Sequence, residues 1–422
     1  MAEPRRRLLI AHPGATSLLY PLVALLQGMD LDVRFETLFY SRPGDALDRA
    51  TGWLPASLRG KAARELGRRR HPDIDPAGVA TAPASEFIHV LAARRGSPAL
   101  AARVLRWRNA RFDARIAATI RRERPDFFIG FDGSAERSFL ACRDVGTTSL
   151  LYQAIGHLRS GLRTLAGERR LHPEFANVDL GDESDEWIAR NTREALLADR
   201  VVVPSDYVRD TMIENGRDPA TIDLLPFPID VTRFAPRTVP REDRRLRVLF
   251  VGQIGMRKGV RYLLDAAGSL ARPDIDVVLV GGLVDGEAWL RPYHHLYRHV
   301  PNVPYAEMPA IFRDADVFVF PSLHEGSAMA TNEALASGLP VIVTPNAGSI
   351  ARDGVEGFVV PMRDAAAIAD RLRALADDAP LRSRMALSAR RRAEAHDSRA
   401  YEAALADLLR RARPPRPQER PT

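Results

Sequence analysis

The chain has 422 residues, 45% hydrophobic and 27% charged, with a net charge of +7. That length supports two or three domains with their own cores, and the composition is that of a soluble globular protein. No apolar run approaches the roughly 18 residues of a membrane span, and the single cysteine, Cys142, excludes an intramolecular disulfide.

The basic start is followed by an apolar stretch that breaks at His12-Pro13-Gly14, which reads as a first strand and not a signal peptide. The cytoplasm is therefore the expected location. The positive charge suits an anionic donor, a phosphorylated acceptor or an acidic membrane surface, with ordinary solubilising charge as the competing reading, so peripheral association with the inner face of a membrane stays open. No nucleic acid is expected as a partner, because the clusters Arg68-Arg69-Arg70 and Arg390-Arg391-Arg392 lack interleaved aromatics. Only Lys61 and Lys258 are lysines, so 59 of the 61 basic residues are arginines. A lysine in such a chain draws attention, since it is a compact point charge where arginine is a planar fork.

In chain order, the first half alternates apolar runs with helical stretches. Leu8–Ala11, Val33–Leu38, Phe127–Phe131, Ser149–Tyr152 and Val201–Pro204 read as buried strands, and Leu100–Arg124 has helical periodicity. A Pro-rich and charged stretch follows at Leu225-Pro226-Phe227-Pro228, Ala235-Pro236 and Pro240–Arg245, which places an interdomain linker there. The second half restarts the alternation with Leu246–Val251, Val277–Val280, Val317–Phe320, Val341–Thr344 and Gly357–Val360. A helical region runs from Ala365 to Arg411, and the Pro-rich end, Pro414–Thr422, is predicted to be disordered. The expected domains are 1–235, 236–400, and a helix end with a tail over 401–422. The pattern predicts α/β architecture, with parallel sheets wrapped by helices.

Glu325 and Glu333 lie just after the strand Val317–Phe320. Ser327 is predicted to cap a helix that stops at Gly338-Leu339-Pro340. Ligands of open parallel sheets bind outside the carboxyl ends of the strands. There, a loop carboxylate accepts bonds from sugar hydroxyls, and a second one two turns down the helix takes the hydroxyls of a ribose. The amides of Gly326, Ser327, Ala328 and Met329 are placed to hold a diphosphate between them. A plain pair of solvated glutamates is the competing reading; the strand, the glycine and the Gly-Leu-Pro stop argue against it.

Val251–Gly259 follows the first strand of the second half and carries Arg257 and Lys258. Two adjacent cations neutralise a diphosphate and stabilise a departing nucleoside diphosphate. A basic turn that only starts a helix is the alternative. The stretch is not a dinucleotide fingerprint, because G-x-G-x-x-G is absent. Gly14, after the first strand of the first half, allows close approach of a ligand. His157, in Gln153-Ala154-Ile155-Gly156-His157, sits at the carboxyl side of another strand, where an imidazole can bind a sugar hydroxyl or help stabilise charge. A structural loop histidine is the alternative for His157 and still more for His324. The acidic run Asp179, Asp182, Glu183, Asp185 and Glu186 matches no EF-hand spacing and reads as a solvated loop leading into a helix.

With these residues in view, the chain resembles the retaining GT-B glycosyltransferases of family four, the glycosyl transferases group 1. The resemblance rests on Glu325-x7-Glu333 between Pro321-Ser322 and Gly338-Leu339-Pro340, and on Gly252–Gly259 with its Lys258-Gly259. It rests also on Asp353–Pro361, Ala198–Ser205 and Leu225–Asp230. It covers most of Leu196–Pro361 and is thin over Met1–Ala195. It implies two Rossmann-like domains facing each other across a cleft, the N-terminal one for the acceptor and the C-terminal one for a nucleotide sugar. It implies Glu333 at the ribose, Glu325 at the donor sugar with Gly326–Met329 near the diphosphate, and Lys258 with Arg257 at the diphosphate. Gly14 would line the cleft, and His157 matches a histidine that contacts the donor sugar. No metal and no cofactor are implied; the nucleotide diphosphate sugar is the substrate. Three positions depart from the family pattern: Gln253 stands for an arginine, Gly326-Ser327-Ala328 for Gly-Phe-Gly, and Ala15 for a second glycine.

The sequence thus reads as a hexosyltransferase acting on an acceptor hydroxyl of a glycan, a lipid-linked sugar or a small molecule. The alternatives are a non-catalytic relative that binds sugar nucleotides, which Gln253 favours, and a GT-B sugar-nucleotide epimerase.

Overall fold

Every expected strand forms, within one or two residues of its expected ends. A computed structural model describes residues 5–14, 18–42, 69–95, 97–181, 183–239, 245–301 and 303–412, with a few positions between 44 and 67. Ala15, Lys61, Arg68, Asp182, the linker residues 240–244 and the tail from 413 lie outside the described residues, as do the expectations placed on them.

The strands of the first half are β1 (Arg6–Ala11), β2 (Leu31–Thr37), β3 (Val79–Thr81), β4 (Phe127–Phe131), β5 (Thr148–Tyr152), β6 (Arg200–Val203) and β7 (Ile222–Leu224). They lie in the order β3-β2-β1-β4-β5-β6-β7. The second sheet holds β8 (Leu246–Val251), β9 (Ile275–Val280), β10 (Tyr297–Val300), β11 (Val317–Phe320), β12 (Val341–Val343) and β13 (Gly357–Val359). Its order is β10-β9-β8-β11-β12-β13, and each neighbouring pair is parallel. Both orders reverse direction between the first strand and its later neighbour, β1 beside β4 and β8 beside β11. That is the switch point where a doubly wound sheet opens a crevice at its carboxyl edge.

The strands that sequence reasoning missed are β3, β7 and β10. All three are edge strands. An edge strand is covered on fewer sides, so it needs no continuous apolar run; β10, Tyr297-Arg298-His299-Val300, has no fully buried residue.

The chain divides into two compact units, but not at residue 235. One comprises Met1–Tyr152, Ser184–Val202 and Arg411–Thr422; the other comprises Gln153–Glu183 and Val203–Arg410. The physical reason lies in the helix Leu158–Leu171, which packs within the second unit. Its Glu168 is 1% exposed. It accepts hydrogen bonds from Tyr262 Oη at 2.7 Å and from Arg363 Nε at 2.7 Å. Just beyond it, the Phe175 ring meets Trp289 edge-on at 5.2 Å. No sequence period announces such a clasp, because each partner is more than 90 residues away.

The second unit's core mixes aromatic and β-branched side chains with leucine and alanine. Phe250 and Phe320 stack with ring centroids 5.4 Å apart, linking β8 to β11 beneath the switch point. The helix Leu100–Arg124 of the sequence reading runs Pro98–Glu123, with Ser97 accepting from the Leu100 amide as its cap. The final helix spans Ser398–Arg411. Among the described residues no helix is long and apolar enough to cross a membrane.

The loop after β11, Pro321–Ala328, is pinned along its length. Leu323 N donates to Arg257 O at 2.9 Å. Thr344 Oγ1 donates to Ser322 O at 2.6 Å, and Asn346 Nδ2 donates to Leu323 O at 2.7 Å. Gly156 N donates to Glu325 O at 3.0 Å, and Ser205 Oγ donates to Gly326 O at 2.5 Å. This crowding fixes glycine at two places. A Cβ on Gly326 would stand 1.7 Å from the Ala154 carbonyl oxygen. Gly259, at φ +64°, would place one 2.0 Å from Pro321 O.

Two stability changes follow. Glu168→Ala leaves Arg363 and Tyr262 without their acceptor and should cost about 3 kcal/mol in denaturant unfolding. Gly326→Ala forces backbone apart and should cost about 3 kcal/mol. Gly28→Ala, where no described residue lies within 4 Å of the new methyl, should change stability by less than about 1 kcal/mol.

Candidate functional site

The two strands that flank the second switch point send their loops to one place. After β8, the turn Met256–Lys258 presents Arg257 and Lys258; after β11, the pinned loop presents Glu325. Arg257 Nη1 donates to Glu325 Oε1 at 2.7 Å, and Lys258 Nζ bonds the same oxygen. Ser322 Oγ donates to it at 3.3 Å, and Arg257 Nη1 also donates to the His324 carbonyl at 3.1 Å. The Glu325 side chain is 11% exposed and that of Lys258 13%. Lys258 also sits over the Phe320 ring, 5.1 Å from its centroid. Burial, with Arg257 beside it, holds the ammonium's pKa below its ordinary value despite the pull of Glu325. One carboxylate thus balances two cations, so these three side chains together carry a charge of +1.

His157 lies next to this cluster, since the preceding residue bonds the Glu325 carbonyl. It is 2% exposed. Its Nδ1 accepts from Arg159 N at 3.2 Å and so caps the helix Leu158–Leu171. That bond leaves the proton on Nε2. Among the described residues the Nε2 is buried with no hydrogen-bond partner. Burial, with Arg159 nearby, lowers the His157 pKa to about 4, so the ring is neutral at pH 7. His157 is therefore both a structural cap and an unspent donor, which joins the two readings that the sequence left open. Unpartnered buried donors in a crevice are what a ligand's oxygen satisfies.

His324 is packed rather than presented. Its Nδ1 meets Tyr207 Oη at 2.7 Å, and a Cβ on Gly161 would stand 2.4 Å from its Nε2. Burial, then Arg257, His157 and Lys258, lower its pKa to about 4.

Ser327 does not cap the following helix. The helix spans Met329–Ala336, begins from Ala328, and has no side-chain cap. The tight pinning of the loop turns Ser327 Oγ into the interior, where it is buried without a hydrogen-bond partner among the described residues. The Ala328 amide is also committed, donating to Ala347 O at 3.1 Å.

Glu333 forms a separate cluster on that helix. It is 9% exposed, and Tyr305 Oη donates to its Oε1 at 3.0 Å. Burial pushes its pKa up to about 7, against the Tyr305 bond and the charge of Arg233. Sequence reasoning missed both neighbours. Tyr305 sits in a short turn after β10 and Arg233 in the expected linker, and no pattern links either to residue 333.

Gly14 lies three residues past the end of β1, in the other unit. Its amide donates to His12 Nδ1 at 3.0 Å, and among the described residues a Cβ there would touch only the His12 ring, at 3.7 Å. In the second unit, a cavity of 810 Å³ opens beside the paired cations; Asn177, Asp179, Gln253, Arg257, Lys258 and Asp285 are among its lining. Gln253, one of the three departures from the family pattern, thus faces the same space as the cations. The acidic run behaves partly as expected: Ser184 caps the helix Asp185–Leu197, accepting from Trp187 N. Asp179 instead joins the cavity wall, which its sequence context did not signal.

Comparison with known proteins agrees with this geometry. Residues 245–378 match the family model described as glycosyl transferases group 1. A D-inositol 3-phosphate glycosyltransferase of Paenarthrobacter aurescens (strain TC1) is 33% identical over 220 residues, 47% of this chain and 53% of the relative. One from Arthrobacter sp. (strain FB24) is 35% identical over 189 residues, 40% of this chain and 45% of the relative. The chain spans about half the length of the curated relatives it matches. Among solved structures, Anabaena HepE in complex with UDP and glucose superposes with a TM-score of 0.61 at 13% identity, over 96% of this chain and 100% of that one. Sucrose-phosphate synthase from Thermosynechococcus elongatus does so with a TM-score of 0.62 at 17% identity, over 96% and 99%. At these identities the likeness shows the fold, α/β of the GT-B type with two Rossmann-like sheets. Residues 245–378, which hold Arg257, Lys258, Glu325 and Glu333, are the part of the chain that matches the glycosyl transferases group 1 family model.

Proposed function

We propose that the protein is a retaining, metal-independent hexosyltransferase that uses a nucleoside diphosphate sugar as donor and an acceptor hydroxyl as target. The observation that carries this reading is the convergence of Arg257 and Lys258 on Glu325 at the second sheet's switch point. Two cations sharing one carboxylate have charge to spare for a diphosphate. The names of similar proteins support it: curated relatives are glycosyltransferases, and the Anabaena neighbour was crystallised with UDP and glucose.

In this reading the diphosphate lies on Lys258 and Arg257, the ribose diol on Glu333, and the sugar between Glu325 and His157. As the bond from sugar C1 to the phosphate oxygen breaks, its electron pair leaves with the nucleoside diphosphate. The two cations stabilise that charge in a low-dielectric crevice. The His157 Nε2–H donates to a sugar oxygen and stays protonated on that nitrogen, because its Nδ1 is held by the Arg159 amide. The acceptor oxygen bonds C1 on the face the diphosphate vacates, and its proton passes to the departing phosphate oxygen. Glu325 keeps the cations placed before the donor arrives, and its loop is too firmly pinned to follow them out.

Calorimetric titration with UDP, GDP, ADP and dTDP tests the donor site. One of them should bind, and Lys258→Ala should weaken it at least about tenfold. Retention of full affinity in that variant would count against the assignment. Incubation with the matching nucleotide hexoses and an acceptor panel should yield a glycoside with the donor's anomeric configuration, seen by NMR, at a rate that EDTA leaves unchanged. Binding without any release of nucleoside diphosphate would favour a non-catalytic relative, for which Gln253 is the structural hint.

A further inference from the structure

The Glu333 cluster contains more than a carboxylate for a ribose. Tyr305 is 51% exposed, unusual for an aromatic ring whose hydroxyl is engaged with a buried acid. Its Oη donates to Glu333 Oε1 at 3.0 Å. The Arg233 guanidinium lies over its ring, 5.1 Å from the centroid, and Phe234 meets the ring's edge at 6.1 Å. Arg233 is itself steered by Asp230, whose carboxylate lies 3.7 Å away and accepts the Arg233 amide at 2.9 Å. Three chain segments thus meet at one carboxyl: the helix Met329–Ala336, the turn Tyr305–Glu307 and the segment Asp230–Phe234.

We propose that Tyr305 and Arg233 are positioning residues that hold Glu333 ionised and aimed, so that nucleotide binding at this site depends on a ribose diol and on pH. The proposal rests on the donor-site reading above.

The chemistry runs as follows. A ribose diol offers two O–H donors, and an ionised carboxylate accepts both. Once protonated, the carboxyl loses part of that capacity and presents a donor of its own. Burial raises the Glu333 pKa to about 7, and the groups that oppose burial are Tyr305, through its hydrogen bond, and Arg233, through its charge. Tyr305 keeps its proton through this range, so its hydroxyl can donate to the ionised carboxylate: its own pKa is pushed up to about 12, by burial and then by Glu333. Sign and window follow. Ionised Glu333, and with it ribose binding, is present above about pH 7 and is lost as pH falls through that value. Removing the Tyr305 hydroxyl removes a bond to the ionised form, so the loss should begin at a higher pH.

The test is UDP affinity by calorimetry across about pH 5.5 to 8.5 for the unaltered protein, Tyr305→Phe, Arg233→Gln and Glu333→Gln, with 2′-deoxy-UDP as a second ligand. The terminal phosphate of UDP titrates in the same range, so each profile is read against Glu333→Gln, which keeps that contribution. The unaltered protein should lose affinity about tenfold per pH unit below its midpoint, beyond the loss seen in Glu333→Gln. Tyr305→Phe and Arg233→Gln should shift that midpoint upward, by about one pH unit for Tyr305→Phe. The excess pH dependence should shrink for 2′-deoxy-UDP. A Tyr305→Phe profile that superimposes on the unaltered one would overturn the proposal, even if affinity drops, because a purely structural loss lowers affinity at every pH alike. UDP affinity that is unchanged at every pH in Glu333→Gln would overturn the donor-site reading as well.

Discussion

One carboxylate oxygen, Glu325 Oε1, is the point on which the candidate site is balanced. It receives Arg257, Lys258 and Ser322. Without it, two cations would stand side by side in a half-buried crevice, at a cost of several kcal/mol in desolvation and mutual repulsion. With it, they are held in place at tolerable cost and keep a net charge for an anionic ligand. The backbone serves this balance. Four segments pin the loop that carries Glu325, and glycine at 259 and 326 permits the close approach. The Phe250–Phe320 stack beneath joins the two strands from which the partners arise.

The same economy appears in the histidines. His157 and His324 are both neutral at physiological pH through burial, yet they do different things. His324 is spent on Tyr207 and on packing against Gly161. His157 spends one nitrogen on capping its helix and keeps the other, Nε2–H, unpaired. A buried donor left unpaired is a standing cost, and a ligand oxygen is what would relieve it. The residue before His157 bonds the Glu325 carbonyl, which sets His157 beside the loop that carries Glu325.

Much of this was legible in the residues themselves. Apolar runs marked the central strands because a strand buried on both faces needs a continuous apolar sequence. The edge strands β3, β7 and β10 escaped notice because half-exposed strands carry no such run. Arg257, Lys258, Glu325 and Glu333 were legible because their spacing follows strand ends. Three things were not. Ser327 has the chemistry of a cap, but the loop's tertiary bonds turn it inward. The boundary near residue 235 was inferred from prolines, whereas Glu168 fastens the helix Leu158–Leu171 into the second unit through partners far along the chain. Tyr305 and Arg233 reach Glu333 only through the folded arrangement, and no local signal connects them.

The central claim is that the Glu325 cluster and the Glu333 cluster are two ends of one nucleotide-sugar site. A crystal structure of the protein with UDP bound tests it most directly. The account predicts the diphosphate within hydrogen-bond distance of Lys258 Nζ and the Arg257 guanidinium, the ribose hydroxyls on the Glu333 carboxylate, and the beta-phosphate directed toward His157. UDP bound with its ribose away from Glu333, or with its phosphates on groups other than Lys258 and Arg257, would contradict it.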